Sequence, residues 1–209
     1  MEFEQFLLKI EQLKKTPLPG ISAHRELAPY QRPVFTEYNI PNDAKKAAVL
    51  VLFYPNKNTT NILLTQRAVY KGTHSNQISF PGGKKDLTDS TLKETALRET
   101  LEEVGVVKEQ IDVLKQLSTI YIPQSNFSVN PYIGIATENP IFKTNYEVEQ
   151  IIEFPVKVLL NPKNLATFPI STGKFKNIEV PCFQYQNHFI WGATAMILNE
   201  VKEVLKTLI

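Results

Sequence analysis

The chain has 209 residues and 43% apolar content, enough for one sizeable core and a single domain over 1–209. Its formal charge of +2 is too small to favour nucleic acid or a membrane surface as partner. One cysteine, Cys182, excludes an intrachain disulfide, and with only three histidines it argues against a zinc site built on nitrogen and sulfur.

In chain order, residues 1–40 read as a helix and a connector. Phe3, Phe6, Leu7, Ile10 and Leu13 share one side at helical spacing, which predicts a helix over 3–15 ended by Thr16-Pro17-Leu18-Pro19-Gly20. The early acids Glu2 and Glu4 do not suit a secretory leader. The longest apolar run, Ala47 to Tyr54, is too short to span a bilayer, so a soluble cytoplasmic protein is expected. That run predicts a strand over 47–54 buried on both faces. A turn at Pro55-Asn56-Lys57-Asn58 leads to a hairpin partner over 61–67, a polar loop over 68–76 and a short strand over 77–80.

A helix is expected over 90–104, capped by Ser90 or Asp89, with Leu92, Ala96, Leu101 and Val104 facing inward and Gly105 stopping it. Strands are expected at 111–122, 129–136 and 149–154, a short helix at 155–161, two strands over 175–192 turning near Gln186-Asn187, and a closing helix over 193–207. Cys182 reads as a buried small residue. Mixed strands with helices before, between and after predict an α/β sheet layered between helices.

The chemistry concentrates in residues 81–106, PGGKKDLTDSTLKETALRETLEEVGV. On a helix, Glu99, Glu102 and Glu103 fall at i, i+3 and i+4, so three carboxylates share one face. Like charges so placed repel by a few tenths of a kcal/mol per pair unless a cation joins them, and Arg98 offsets only part of the charge. Oxygen ligands in a cluster suit a hard divalent ion that also bridges to substrate phosphates. Just upstream, Pro81-Gly82-Gly83 is a turn at which backbone can approach a ligand closely.

This segment resembles the signature of the Nudix hydrolases, G-x5-E-x7-R-E-U-x-E-E-x-G-U with U apolar. The match covers Gly83 to Val106, with Asp89 at the first acid, one extra residue before Arg98, and Thr100 in place of an apolar residue. The longer spacing is similar to the coenzyme A diphosphatase branch of the family. So is the run LLTQRAVYKGTHSNQISFPGG at 63–83, which matches that branch at Leu63, Leu64, Thr65, Arg67, His74, Gln77, Phe80, Pro81, Gly82 and Gly83. It departs from the branch at Lys71, Gly72 and Asn76. Segments 127–134, 145–156 and 189–198 resemble it too.

The resemblance implies a Nudix-type α/β/α sandwich with a mixed sheet. It also implies a Mg²⁺- or Mn²⁺-dependent hydrolase that cleaves a diphosphate in coenzyme A or an acyl derivative, giving 3′,5′-ADP and (acyl-)4′-phosphopantetheine. By the same resemblance Glu99 and Glu103 are metal ligands, Glu102 is a third ligand or the general base, and Arg98 orients a carboxylate. Outside the box, Glu147 and Glu149 are the candidates for a general base. Arg67, Lys71, His74 and Gln77, with the backbone of Gly82 and Gly83, are the candidate contacts to substrate. Two other readings stay open: hydrolysis of another nucleoside diphosphate derivative such as ADP-ribose, NADH or a nucleoside triphosphate, and a non-catalytic nucleotide-binding module. The expected partner is a small nucleotide, with neither nucleic acid nor membrane, and a homodimer is the assembly considered.

Overall fold

The computed structural model describes residues 1–29, 39–69, 76–172 and 175–208. Its centre is an eight-stranded mixed sheet. Strand β1 (Lys45–Asn56) forms a hairpin with β2 (Thr59–Arg67), antiparallel and in register at Phe53↔Ile62 through Asn56↔Thr59. Along its other edge β1 runs parallel to β7 (Phe127–Ile135), from Lys45↔Phe127 to Phe53↔Ile135. Strand β8 (Val148–Pro155) pairs with β2 on the side away from β1.

Beyond the hairpin, β1 and β2 part company. Into the fork run β3 (Ile78–Ser79), paired with β2, and β4 (Gly82–Lys84), paired with β1 at Ala47–Val49. This fork places Gly82 and Gly83 in the sheet beside the helix α3 (Leu92–Val104).

Alternation along β1 shows why its whole sequence is apolar. Ala47, Val51 and Phe53 join one core cluster, together with Phe3, Phe6 and Ile10 of α1 (Phe3–Ile10) and the apolar side of α5 (Gly192–Lys206). Ala48, Leu50, Leu52 and Tyr54 join a second cluster with Ala96 and Val104 of α3. Both faces of the strand are therefore buried and the sheet lies between helices, as expected. Among the described residues no helix is long and apolar enough to cross a membrane.

Several boundaries differ from the sequence reading. The first helix ends at Ile10 and tightens into a 3₁₀ segment over Glu11–Lys15, followed by a short α2 (Ile21–Glu26) that the proline-rich pattern hid. The expected strand 111–122 is two strands, β5 (Asp112–Gln116) and β6 (Ile120–Ile122). They break opposite Pro131, which has no N–H to offer the ladder; its carbonyl accepts from Leu117, and the Asn130 side chain takes bonds from Gln116 and Thr119. After α4 (Val156–Leu160), strand β9 (Leu165–Thr172) was not anticipated. Pro169 argues against a central strand, but among the described residues β9 pairs only with β10 (Phe175–Tyr185) and so tolerates it at an edge. The last strand, β11 (His188–Trp191), completes this three-stranded sheet, and Cys182 of β10 is buried as expected.

One polar contact ties the outer helices together. Glu200 of α5 is fully buried; it lies 3.2 Å from His24 Nε2 of α2 and accepts from the backbone N–H groups of Gly20 and Ser118, each at 3.2 Å. Those bonds hold its carboxyl below the usual value even though burial pushes the other way.

Candidate active site

Helix α3 begins with a reciprocal cap. The Thr91 hydroxyl accepts from Glu94 N at 3.2 Å while the Glu94 carboxylate accepts from the Thr91 N–H at 3.2 Å. The cap is thus Thr91, not Ser90 or Asp89, because the Asp89 carboxylate is engaged elsewhere. It takes two parallel bonds from Arg98, Nε to Oδ1 and Nη2 to Oδ2, both 2.9 Å, and further bonds from Thr95 Oγ1 and Asp86 N. These donors, Arg98 foremost, hold Asp89 well below the usual carboxylate range. The same guanidinium reaches Lys84 O at 3.1 Å, Glu99 Oε1 at 3.0 Å and Glu102 Oε2 at 3.1 Å. Arg98 therefore pins the helix to the strand that carries the glycines.

The helix faces also depart from expectation at two positions. Leu101 is exposed, and Thr100 is buried instead, its hydroxyl satisfied by Ala96 O at 2.7 Å. Gly105 ends the helix in the left-handed region, at φ 77°, as expected.

At the C-terminal half of α3 the carboxylates meet the glycines. Glu103 is only 4% exposed, and its Oε2 accepts from Gly82 N at 3.0 Å. A Cβ on Gly83 would stand 2.5 Å from the Glu99 carboxyl, and one on Gly82 would stand 2.3 Å from Ala48 O. Glycine at both positions is what lets backbone and carboxylate approach so closely. Burial pushes Glu103 up to about 7 and raises Glu99 as well. These are acids that a nearby cation would stabilise in the charged form.

Arg67, at the end of β2, completes the group. Its Nη1 lies 3.6 Å from Glu103 Oε1 and its Nη2 lies 3.6 Å from Glu147 Oε2. Glu147 is brought there by main-chain bonds: Ala68 N donates to Glu147 O, and Glu147 N donates to Asn145 Oδ1. Gln77 adjoins Arg67 through its carbonyl, which accepts the Arg67 N–H at 3.0 Å. Lys71 and His74 lie outside the described residues.

The structure thus gathers Arg67, Gly82, Gly83, Glu99, Glu103 and Glu147, with Gln77 beside them. Glu102, at 53% exposure, lies 3.1 Å from the same Arg98 Nη1 that holds Glu99 at 3.0 Å, while Glu103 faces Arg67. Among the described residues no three carboxylate, histidine or cysteine side chains already surround one point. The two arginines divide the acids of the helix, Arg98 taking Glu99 and Glu102 and Arg67 taking Glu103. The donor set is nonetheless made only of oxygens, two of its carboxylates are desolvated, and the glycine backbone abuts both, which suits a hard divalent ion. Sequence reasoning missed Asp89 as the anchor of Arg98, although its place at the first acid of the box was a signal.

The NUDIX domain model matches residues 44–168. The Nudix hydrolase NudL of Yersinia enterocolitica is 37% identical over 158 residues, which is 75% of this chain and 80% of that protein. Two solved structures share the fold. A Nudix hydrolase from M. smegmatis, RenU, has a TM-score of 0.55 at 18% identity, covering 79% of this chain and 88% of that one. A MutT/nudix family protein from Enterococcus faecalis has a TM-score of 0.50 at 20% identity, covering 94% and 73%. The chain belongs to the Nudix family, hydrolases that act on phosphoric anhydrides.

Proposed function

We propose that this chain hydrolyses the diphosphate linkage of coenzyme A or an acyl derivative, with Mg²⁺ or Mn²⁺ held by Glu99 and Glu103 and by the backbone at Gly82–Gly83. The observation that carries this reading is the meeting of two desolvated carboxylates with that glycine turn. The turn closes the 63–83 run that resembles the coenzyme A diphosphatase branch.

When bound, the cation neutralises phosphate charge and makes a water molecule more acidic. The protein's own part is mainly positioning and electrostatics, as in phosphoryl transfer generally. Arg98 fixes α3 to β4 and orients Glu99. Gly82 N holds Glu103 Oε2 and so aims Oε1 into the site. Arg67 offers a planar donor pair to a diphosphate, and Gln77 stands next to it.

The water's proton passes to Glu102 or Glu147. Glu147 is 41% exposed and faces the cluster through Arg67, whereas Glu102 is turned to Arg98, so the geometry favours Glu147. A large loss of turnover in Glu147→Gln beside a small one in Glu102→Gln supports that assignment; the reverse pattern returns the role to Glu102.

A second reading, hydrolysis of a nucleoside diphosphate derivative without a 3′-phosphate, is favoured by Arg67 being shared between two carboxylates. Comparing kcat/KM for coenzyme A, 3′-dephospho-coenzyme A, ADP-ribose and NADH with Mg²⁺ or Mn²⁺ decides between the two. Coenzyme A is expected to lead. A preference of about tenfold or more for ADP-ribose, roughly 1.4 kcal/mol in transition-state binding, rejects the coenzyme A assignment.

A further inference from the structure

Glu103 presents its two oxygens to different partners. Oε2 accepts from Gly82 N at 3.0 Å, whereas Oε1 faces Arg67 Nη1 at 3.6 Å. Oε2 already accepts from the main chain, so Oε1, which has no main-chain donor, is the oxygen more open to a cation. Arg67 and a divalent ion therefore claim the same oxygen.

The Arg67 contacts are suited to exchange. Both carboxylate distances, 3.6 Å to Glu103 and 3.6 Å to Glu147, exceed the roughly 2.7–2.9 Å of a charge-assisted hydrogen bond. Attraction holds the guanidinium between two acids without short bonds to either. The backbone around it is tied down, since Arg67 N donates to Gln77 O and Ala68 N to Glu147 O. Only the side chain has to swing, and at 24% exposure it stands where an anion can reach it.

We propose that Arg67 is an exchangeable counter-ion. Without a cation it neutralises Glu103 and Glu147. It gives up Glu103 Oε1 when a divalent ion binds, and its guanidinium then turns to the diphosphate of the substrate. This rests on Glu103 being a cation ligand in the function proposed above. By linkage, a diphosphate that draws Arg67 away strengthens cation binding, and the cation strengthens diphosphate binding by the same factor.

The test is Mn²⁺ binding to the intact protein without substrate, followed by calorimetry. Arg67→Met is expected to bind Mn²⁺ at least fivefold more tightly than the wild type, and metal-free methylenediphosphonate at least fivefold more weakly. Arg67→Gln, a polar replacement, carries the same expectation should the Met variant fail to fold. Lys84→Met removes a positive charge from the neighbouring strand without touching the carboxylates and is expected to change Mn²⁺ affinity by less than twofold. Equal or weaker Mn²⁺ binding in the folded Arg67 variant, or a matching gain in Lys84→Met, overturns the exchange while leaving Glu103 as ligand. If the wild type binds no Mn²⁺, or Glu103→Gln binds it as the wild type does, the ligand assignment falls and the exchange falls with it.

Discussion

Two arginines meet the acids of α3, Arg98 from the middle of the helix itself and Arg67 from the end of β2, and their surroundings differ in kind. Arg98 makes two 2.9 Å bonds to a buried aspartate and further bonds to a backbone carbonyl and two glutamates. Arg67 lies 3.6 Å from each of two acids. The first arrangement is saturated and fixes where α3 sits on the sheet. The second has longer contacts, beside Glu103, whose burial opposes its ionisation. The Arg98 contacts are scaffold; the Arg67 contacts are those we propose to rearrange around a ligand.

Four measurements would break or sharpen that contrast. The largest effect belongs to the Arg67 side: Glu103→Gln is expected to cut turnover by about a thousandfold, roughly 4 kcal/mol of barrier, while the protein stays folded by circular dichroism. Turnover near wild type at limiting Mg²⁺ would remove Glu103 from the site. Next comes the scaffold. Asp89→Ala leaves Arg98 and Thr95 without their shared partner and should cost about 3 kcal/mol in urea unfolding. An unshifted midpoint would show that the Arg98 knot is not what fixes the helix.

The third measurement concerns pH. The buried Glu103 carboxyl is raised from 4.5 to about 7, so the folded state binds its proton more tightly than the unfolded chain. Its contribution to metal-free stability is present below about 4.5 and is lost as pH rises toward about 7. Glu103→Gln carries no such charge and should be more stable than the wild type at pH 8, by roughly 2 kcal/mol, with no difference at pH 4. Parallel pH–stability curves for the two proteins would contradict the burial argument. The smallest effect is Thr91→Ala. Loss of the cap should cost about 1 kcal/mol, or about 2–4 °C in Tm for a chain of this size, with kcat unchanged. A large fall in kcat would mean that the N-terminal end is not merely scaffold.

Much of this was legible in the sequence where periodicity or spacing carries the signal. The β1 run, buried on both faces, the hairpin with β2 and the glycine stop after α3 all follow from local pattern. The capping box was legible too, since Thr91 and Glu94 stand at its spacing, but the neighbouring Asp89 and Ser90 are equally good cap residues by type. What sequence could not supply was pairing across distance. Arg98 bonding Asp89 and Arg67 bridging Glu103 to Glu147 depend on the fork between β1 and β2, which no single segment encodes. Thr100 and Leu101 exchanged faces for a related reason: a buried hydroxyl is tolerable only because Ala96 O accepts from it. Proline misled twice, breaking one expected strand opposite Pro131 and concealing an edge strand at Pro169.

The Glu200 carboxylate has a consequence for how the chain is made. His24 precedes it by 176 residues and Gly20 by 180, and Ser118 lies between. Contacts so far apart along the chain carry the largest loop-closure entropy and are the slowest to form. During synthesis, which proceeds from the N-terminus, α2 and the segment before β6 wait for this one acceptor until the ribosome has read past the middle of α5. A nascent chain arrested short of Glu200 would hold its Nudix motif complete while the outer helical layer was still without its clasp.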